Sequence, residues 1–208
     1  QIFDFFLDAY QNTPTSNILL EAIAFVFGIA SVWFAKKENI LVYPFGLVAT
    51  IITVYLLYIA EYFGDMMMNF YYSIMSIYGW WNWNRKKNAK ALILISRTTF
   101  NEKLIGVALI IITMIVTYIV YQYSGTEIKL ENYIDMFTSG IFFTAMWYMA
   151  NKKIENWTLW IFANLITVPL YAYRGLGMLS LQYIIFTILA IQAYLAWKKS
   201  LNKSEQTL

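Results

Sequence analysis

Seven apolar stretches, each about long enough to cross a bilayer, are separated by clusters of charge: residues 17 to 35, 42 to 60, 66 to 83, 104 to 123, 135 to 151, 155 to 173 and 176 to 197. A spanning helix needs about 20 mostly apolar residues. A chain of 208 residues therefore has room for about seven or eight spans, and no separate soluble domain is expected. The runs are continuous rather than alternating and rich in Leu, Ile, Ala and Met, which reads as helix and not as β-barrel strand. Composition agrees, with 60% hydrophobic and 13% charged residues against roughly 45–50% and 25% in soluble domains.

Orientation follows from the 15 Lys and Arg, because basic residues in short loops stay cytoplasmic. Lys36 and Lys37 follow span one. Arg85, Lys86, Lys87, Lys90, Arg97 and Lys103 surround the link from span three to four. Lys152 and Lys153 follow span five, and Lys198, Lys199 and Lys203 follow span seven. Only Lys129 and Arg174 fall at the alternate boundaries, so the N-terminus is expected outside and the C-terminus inside. Asp4, Asp8, Glu61, Asp65, Glu127, Glu131 and Asp135 lie at or near the outer boundaries. Ahead of span one, Phe3, Phe5, Phe6 and Tyr10 suit an interfacial segment, and the lack of a basic residue there argues against a signal peptide.

The chain also repeats itself. With one inserted residue, the segment after span one matches that after span five: Glu38 and Asn39 with Glu155 and Asn156, Tyr43 with Trp160, Phe45 with Phe162, Gly46 with Ala163 and Thr50 with Thr167. Spans three and seven align through Gly64 with Gly177, Asn69 with Gln182 and Phe70 with Tyr183. Two three-helix units joined by a fourth helix have the same orientation and relate by an axis along the membrane normal, as in transporters that bind substrate near mid-membrane between repeats.

With neither Cys nor His, thiol nucleophiles, imidazole bases and soft metal sites are excluded, and no cofactor or metal is expected. The net charge of +3 gives no argument for nucleic acid. No acid or base lies deep in a span; Glu21 and Asp135 sit within a turn or two of an outer end. That argues against proton coupling and against a membrane hydrolase.

What the spans hold instead is amides and aromatics at helical spacing. In span three these are Asn69, Tyr72, Ser76, Trp80 and Trp83; in span six, Trp157, Trp160, Asn164, Thr167 and Tyr171, with Asn156 alongside. Gln182 and Gln192 come from span seven, Thr144 and Trp147 from span five, and Tyr43, Thr50 and Thr53 from span two. Trp33, Trp81, Trp83 and Trp197 read as interface anchors, and Thr50, Thr53 and Ser76 as packing contacts. Buried amides are costly without partners. Beside aromatic faces, Asn69, Asn164 and Gln182 make a pocket for a flat, polar, neutral or cationic molecule. An anion would want Arg or Lys there.

The segment KKIENWTLWIFANLITVPLYAYRGLGMLSLQYIIFTILA, with its E-N-W-x-x-W core, and GDMMMNFYYSIMSIYGWWNW, ending Y-G-W-x-x-W, resemble the Pnu family of bacterial vitamin transporters. The resemblance implies an all-α integral membrane fold of seven helices in a 3+1+3 parallel-repeat, SWEET-like arrangement. It further implies a homotrimer in the bacterial inner membrane and facilitated diffusion, with trapping by cytoplasmic phosphorylation. The family's best-known substrate is nicotinamide riboside, a vitamin B3 precursor for pyridine nucleotide biosynthesis. The W-x-x-W motif falls on Trp157 and Trp160, preceded by Asn156, and the resemblance puts these near the vitamin. Asn69 departs from the Gln that nicotinamide riboside members often carry, which leaves thiamine, another flat cation, as an alternative. A substrate-binding membrane subunit or sensor is the other.

The expected organisation is an interfacial segment at 1–16, a first three-helix unit at 17–87, a linker with helix four at 88–130, a second unit at 131–199 and a cytoplasmic tail at 200–208. Pro44, Gly46 and Pro169 are candidate hinges. The expected substrate contacts are Trp157, Trp160, Asn156, Asn164, Asn69, Tyr72, Gln182, Trp80, Trp147 and Gln192.

Overall fold

The computed structural model describes residues 13–59, 63–87, 90–91, 93–123, 125, 127–173 and 177–205. The expected interfacial residues Phe3, Phe5, Phe6 and Tyr10 lie outside them. Among the described residues there are seven long helices: α1 (Thr15–Lys36), α2 (Val42–Ile59), α3 (Phe63–Asn84), α4 (Phe100–Tyr123), α5 (Leu130–Ala150), α6 (Glu155–Tyr173) and α7 (Gly177–Glu205). Each covers one apolar stretch. A small antiparallel hairpin of β1 (Lys86–Lys87) and β2 (Lys90–Ala91) follows α3, which hydropathy did not anticipate.

By length and composition, α1, α2, α4 and α7 are apolar enough to cross a membrane. The other three carry polar groups that the bundle buries: Ser73, Ser76 and Asn82 on α3, Thr138, Ser139 and Thr144 on α5, and Asn156, Asn164 and Thr167 on α6. Such groups lower hydropathy while strengthening contacts between helices.

Packing runs α1–α2–α3 and α5–α6–α7, and the two runs close into a ring where α3 meets α5 and α7 meets α1. Helix α4 lies against α5, outside that ring. Its backbone comes close because Gly140 has no side chain; a Cβ there would lie 2.9 Å from the Ile110 carbonyl oxygen. The Thr144 hydroxyl donates to the Gly106 carbonyl at 3.0 Å across the same contact, so Thr144 faces α4.

The turns after α1 and α5 are built alike. Glu38 and Lys152 both take left-handed backbone, with φ of 53° and 51°. Each turn closes with the same pair of hydrogen bonds: Glu38 N–H to Ala35 O and Asn39 N–H to Phe34 O in one, Lys152 N–H to Met149 O and Lys153 N–H to Tyr148 O in the other. This is the motif that satisfies orphan carbonyls at a helix C-terminus. With Glu38 equivalent to Lys152, Tyr43 corresponds to Trp157 rather than Trp160. The repeat is present in the backbone, but its register differs from the sequence match by about one helical turn.

The basic clusters meet at one end of the bundle. Lys152 pairs with Glu38 at 3.4 Å and Lys153 with Glu102 at 2.9 Å, while Lys36 donates to Gln192 at 2.8 Å. Trp33 and Trp81 are exposed, with Lys36, Lys37 and Arg85 over their rings, as anchors should be. Trp83 and Trp197 are not anchors: they are 8% and 0% exposed. Burial is tolerable because each indole N–H has a carbonyl partner, Met149 for Trp83 at 3.2 Å and Ala35 for Trp197 at 2.9 Å.

Candidate functional site

The ring encloses a cavity of about 700 Å³, within the range of about 300–1,000 Å³ typical of small-molecule sites. At its floor are Ala35, Tyr43, Met149 and Trp157, next to the basic end; at its mouth are Asn17, Glu21, Asp65, Asp135 and Tyr171. Trp157, Trp160, Asn164, Thr167 and Tyr171, read from the sequence as one face of α6, all line the cavity. Asn69, Tyr72 and Gln182 join them.

Four expected contacts lie elsewhere. Asn156 is fully buried but turned back on its own helix start, donating to the Lys153 carbonyl at 2.6 Å. Trp80 is 38% exposed and outside the lining. Each step of four residues overshoots a helical turn by about 40°, so the step from Tyr72 to Ser76 to Trp80 carries the last side chain off the inner face. Trp147 packs against Tyr148 with the rings tilted by 43° and does not line the cavity; the inward stripe of α5 is Asp135, Thr138, Ser139, Phe142, Met146 and Met149. Gln192 is exposed and bound to Lys36.

An aromatic wall runs along the cavity. Trp160 packs on Phe142 at 5.2 Å and on Tyr72 at 6.3 Å, and Phe142 on Tyr183 at 5.9 Å. Phe142 and Tyr183 were missed because an aromatic's type within an apolar span does not show which way it points. The turn equivalence explains the cavity's lopsided shape. Phe142 corresponds to Gly28, Trp160 to Gly46 and Asn164 to Thr50, and all six line it. The second unit supplies the rings, while the first leaves space at the matching positions.

The polar groups divide by whether the protein already uses them. Thr50 and Thr53 donate back to Leu47 and Ala49 carbonyls at 3.2 and 2.8 Å, in keeping with a packing role. Asn69 donates to the Asp65 carbonyl at 3.0 Å. By contrast, the Trp157 and Trp160 indole nitrogens, the Asn164 amide nitrogen and the Tyr43 hydroxyl are buried without a partner. Donors buried in this way are costly unless something fills the site. Three carboxylates, Glu21, Asp65 and Asp135, line the mouth region, and no Lys or Arg is among the lining residues. The Tyr121 hydroxyl donates to Asp135 at 3.0 Å. The field therefore favours cations, and the rings offer a face to a flat one.

A family model described as nicotinamide mononucleotide transporter matches residues 18–199. The nicotinamide riboside transporter PnuC of Escherichia coli is 24% identical over 204 residues, covering 87% of this chain and 85% of that protein. The protein of the same name from Neisseria mucosa is 24% identical over 200 residues, covering 88% of this chain and 73% of that protein. The crystal structure of the vitamin B3 transporter PnuC superposes with a TM-score of 0.71 at 24% identity, over 94% of this chain and 86% of that one. That likeness establishes the fold.

Proposed function

This chain belongs to the nicotinamide mononucleotide transporter family, whose members are membrane transporters rather than enzymes, and from that premise we propose that it carries nicotinamide riboside. The observation that bears most weight is the pairing of an aromatic wall with unpartnered donors in a cavity lined by carboxylates and no base. Nicotinamide riboside is a pyridinium bearing a carboxamide and ribose hydroxyls: its ring suits Trp160 and Phe142, and its acceptors suit the free N–H groups. The mononucleotide adds a phosphate, which a cavity without Lys or Arg disfavours. The relatives above are named for the riboside, and nothing supports thiamine or a sensor subunit in its place.

The membrane arrangement belongs to the same reading. Two three-helix units related by an axis along the normal, with α4 as the connector, give the 3+1+3 SWEET-like plan, supported by the matched turns at Glu38 and Lys152. The positive-inside rule puts the Glu38 end in the cytoplasm of an inner-membrane protein, with the cavity mouth outside. Movement is passive because no acid or base lies at mid-depth, and phosphorylation of the imported riboside keeps uptake downhill. A homotrimer follows from the family resemblance.

Calorimetric titration of the detergent-purified protein with nicotinamide riboside, thiamine and the mononucleotide tests the substrate. Binding of the riboside alone is expected, and preference for either other compound overturns it. Uptake into liposomes without an ion gradient tests the passive mode.

A further inference from the structure

In a ring ordered α1–α2–α3–α5–α6–α7, helix α1 stands opposite α5, and α3 opposite α7. These opposed pairs touch beneath the cavity floor. Glu38, in the turn that ends α1, pairs with Lys152, in the turn that ends α5, at 3.4 Å. The Trp83 ring of α3 meets the Trp197 ring of α7 at 6.0 Å. By the turn equivalence both pairs join matching positions: Glu38 with Lys152, and Trp83 with Trp197. The supports match as well. Tyr43 meets Trp83 edge to face at 5.1 Å and 88°, and Trp157 meets Trp197 at 5.4 Å and 90°. Each indole N–H is held by the carbonyl of the neighbouring helix in the other unit, Met149 or Ala35. Lys152 also lies 4.7 Å over the Trp83 ring, and Ser200 donates to Glu38 at 3.1 Å.

We propose that this layer is the gate at the basic end of the cavity, shut in this structure, with Glu38–Lys152 as its latch and Trp83–Trp197 as its plug. Two properties suit it to open and close. It lies on the axis where two rocking units separate most directly, since its partners come from opposed helices rather than adjacent ones. Its charges are also poised between burial and water: the Lys152 and Glu38 side chains are 9% and 31% exposed. Parting returns both to solvent, which offsets the lost attraction. Removing one partner leaves the other charge poorly solvated only while the gate is shut, so the population moves toward open. The inference rests on a transport cycle with alternating access, but not on which vitamin is carried.

The chain's lack of cysteine gives a clean background for the test. Ser76, 3% exposed and on the cavity wall above the layer, is replaced in Ser76→Cys and labelled with a membrane-impermeant thiol reagent from the Glu38 side of sealed vesicles. Lys152→Gln and Glu38→Gln are each expected to speed labelling by about tenfold, and the exchange Glu38→Lys with Lys152→Glu to restore the slow rate. Trp83→Phe keeps an aromatic ring but loses the indole donor to Met149, and a smaller acceleration is expected. Each variant is checked for folding by size exclusion. Unchanged labelling in both neutralised variants, or equal acceleration in the exchanged pair, overturns the gate. Failure of riboside binding leaves this readout intact and bears only on the substrate.

Discussion

Gly79 of α3 lies directly against the Tyr43 ring of α2, so close that a Cβ on Gly79 would overlap Cε1, Cζ and the hydroxyl. Small residues at helix contacts let backbones approach where lipid provides no hydrophobic drive for association. Here the contact also holds Tyr43, 1% exposed, in the floor of the cavity. Gly79→Ala is expected to destabilise the protein by about 1–3 kcal/mol through overpacking. Thermal unfolding in detergent measures this, and adding Tyr43→Leu should recover part of the loss.

Trp160 sits between Phe142 and Tyr72 with its N–H unpartnered. Trp160→Ala removes stacking worth about 1–2 kcal/mol, so the dissociation constant for nicotinamide riboside should rise by about 5- to 30-fold. Trp160→Phe should keep more of the affinity than Ala. Unchanged binding in Trp160→Ala would put the site elsewhere.

Asn164 separates binding from stability. Its amide nitrogen is buried with no partner, so Asn164→Leu removes an unsatisfied donor from the empty protein while keeping similar bulk. Riboside affinity is expected to fall about tenfold, whereas the unfolding temperature should hold or rise. A parallel loss of both would mark Asn164 as structural.

Trp80 and Gln192 supply the opposite expectation. Both lie outside the cavity, one in the exposed surface and one bound to Lys36. Trp80→Ala and Gln192→Ala should each leave riboside affinity within about twofold, since neither can contact the ligand directly. Calorimetry on the two variants decides it.

Much of this protein was legible without coordinates. Hydropathy gave the seven helices, because chain length and the cost of unpaired backbone in lipid leave little else to form. Charge placement gathered the Lys36, Lys152 and Lys198 clusters toward one end. On α6, periodicity alone found all five inward residues from Trp157 to Tyr171, because amides and hydroxyls shared a face with the rings. Tertiary structure decided the rest. A membrane helix is apolar toward lipid and toward its neighbours alike, so an aromatic's type does not reveal its direction. That is why Trp83 and Trp197 read as anchors and Phe142 went unseen, and why Trp80 and Trp147 pointed the wrong way. The register between the two halves was decided likewise: it is fixed by backbone geometry at Glu38 and Lys152, where residues of opposite charge adopt one conformation. Only packing could bring those two together across the axis.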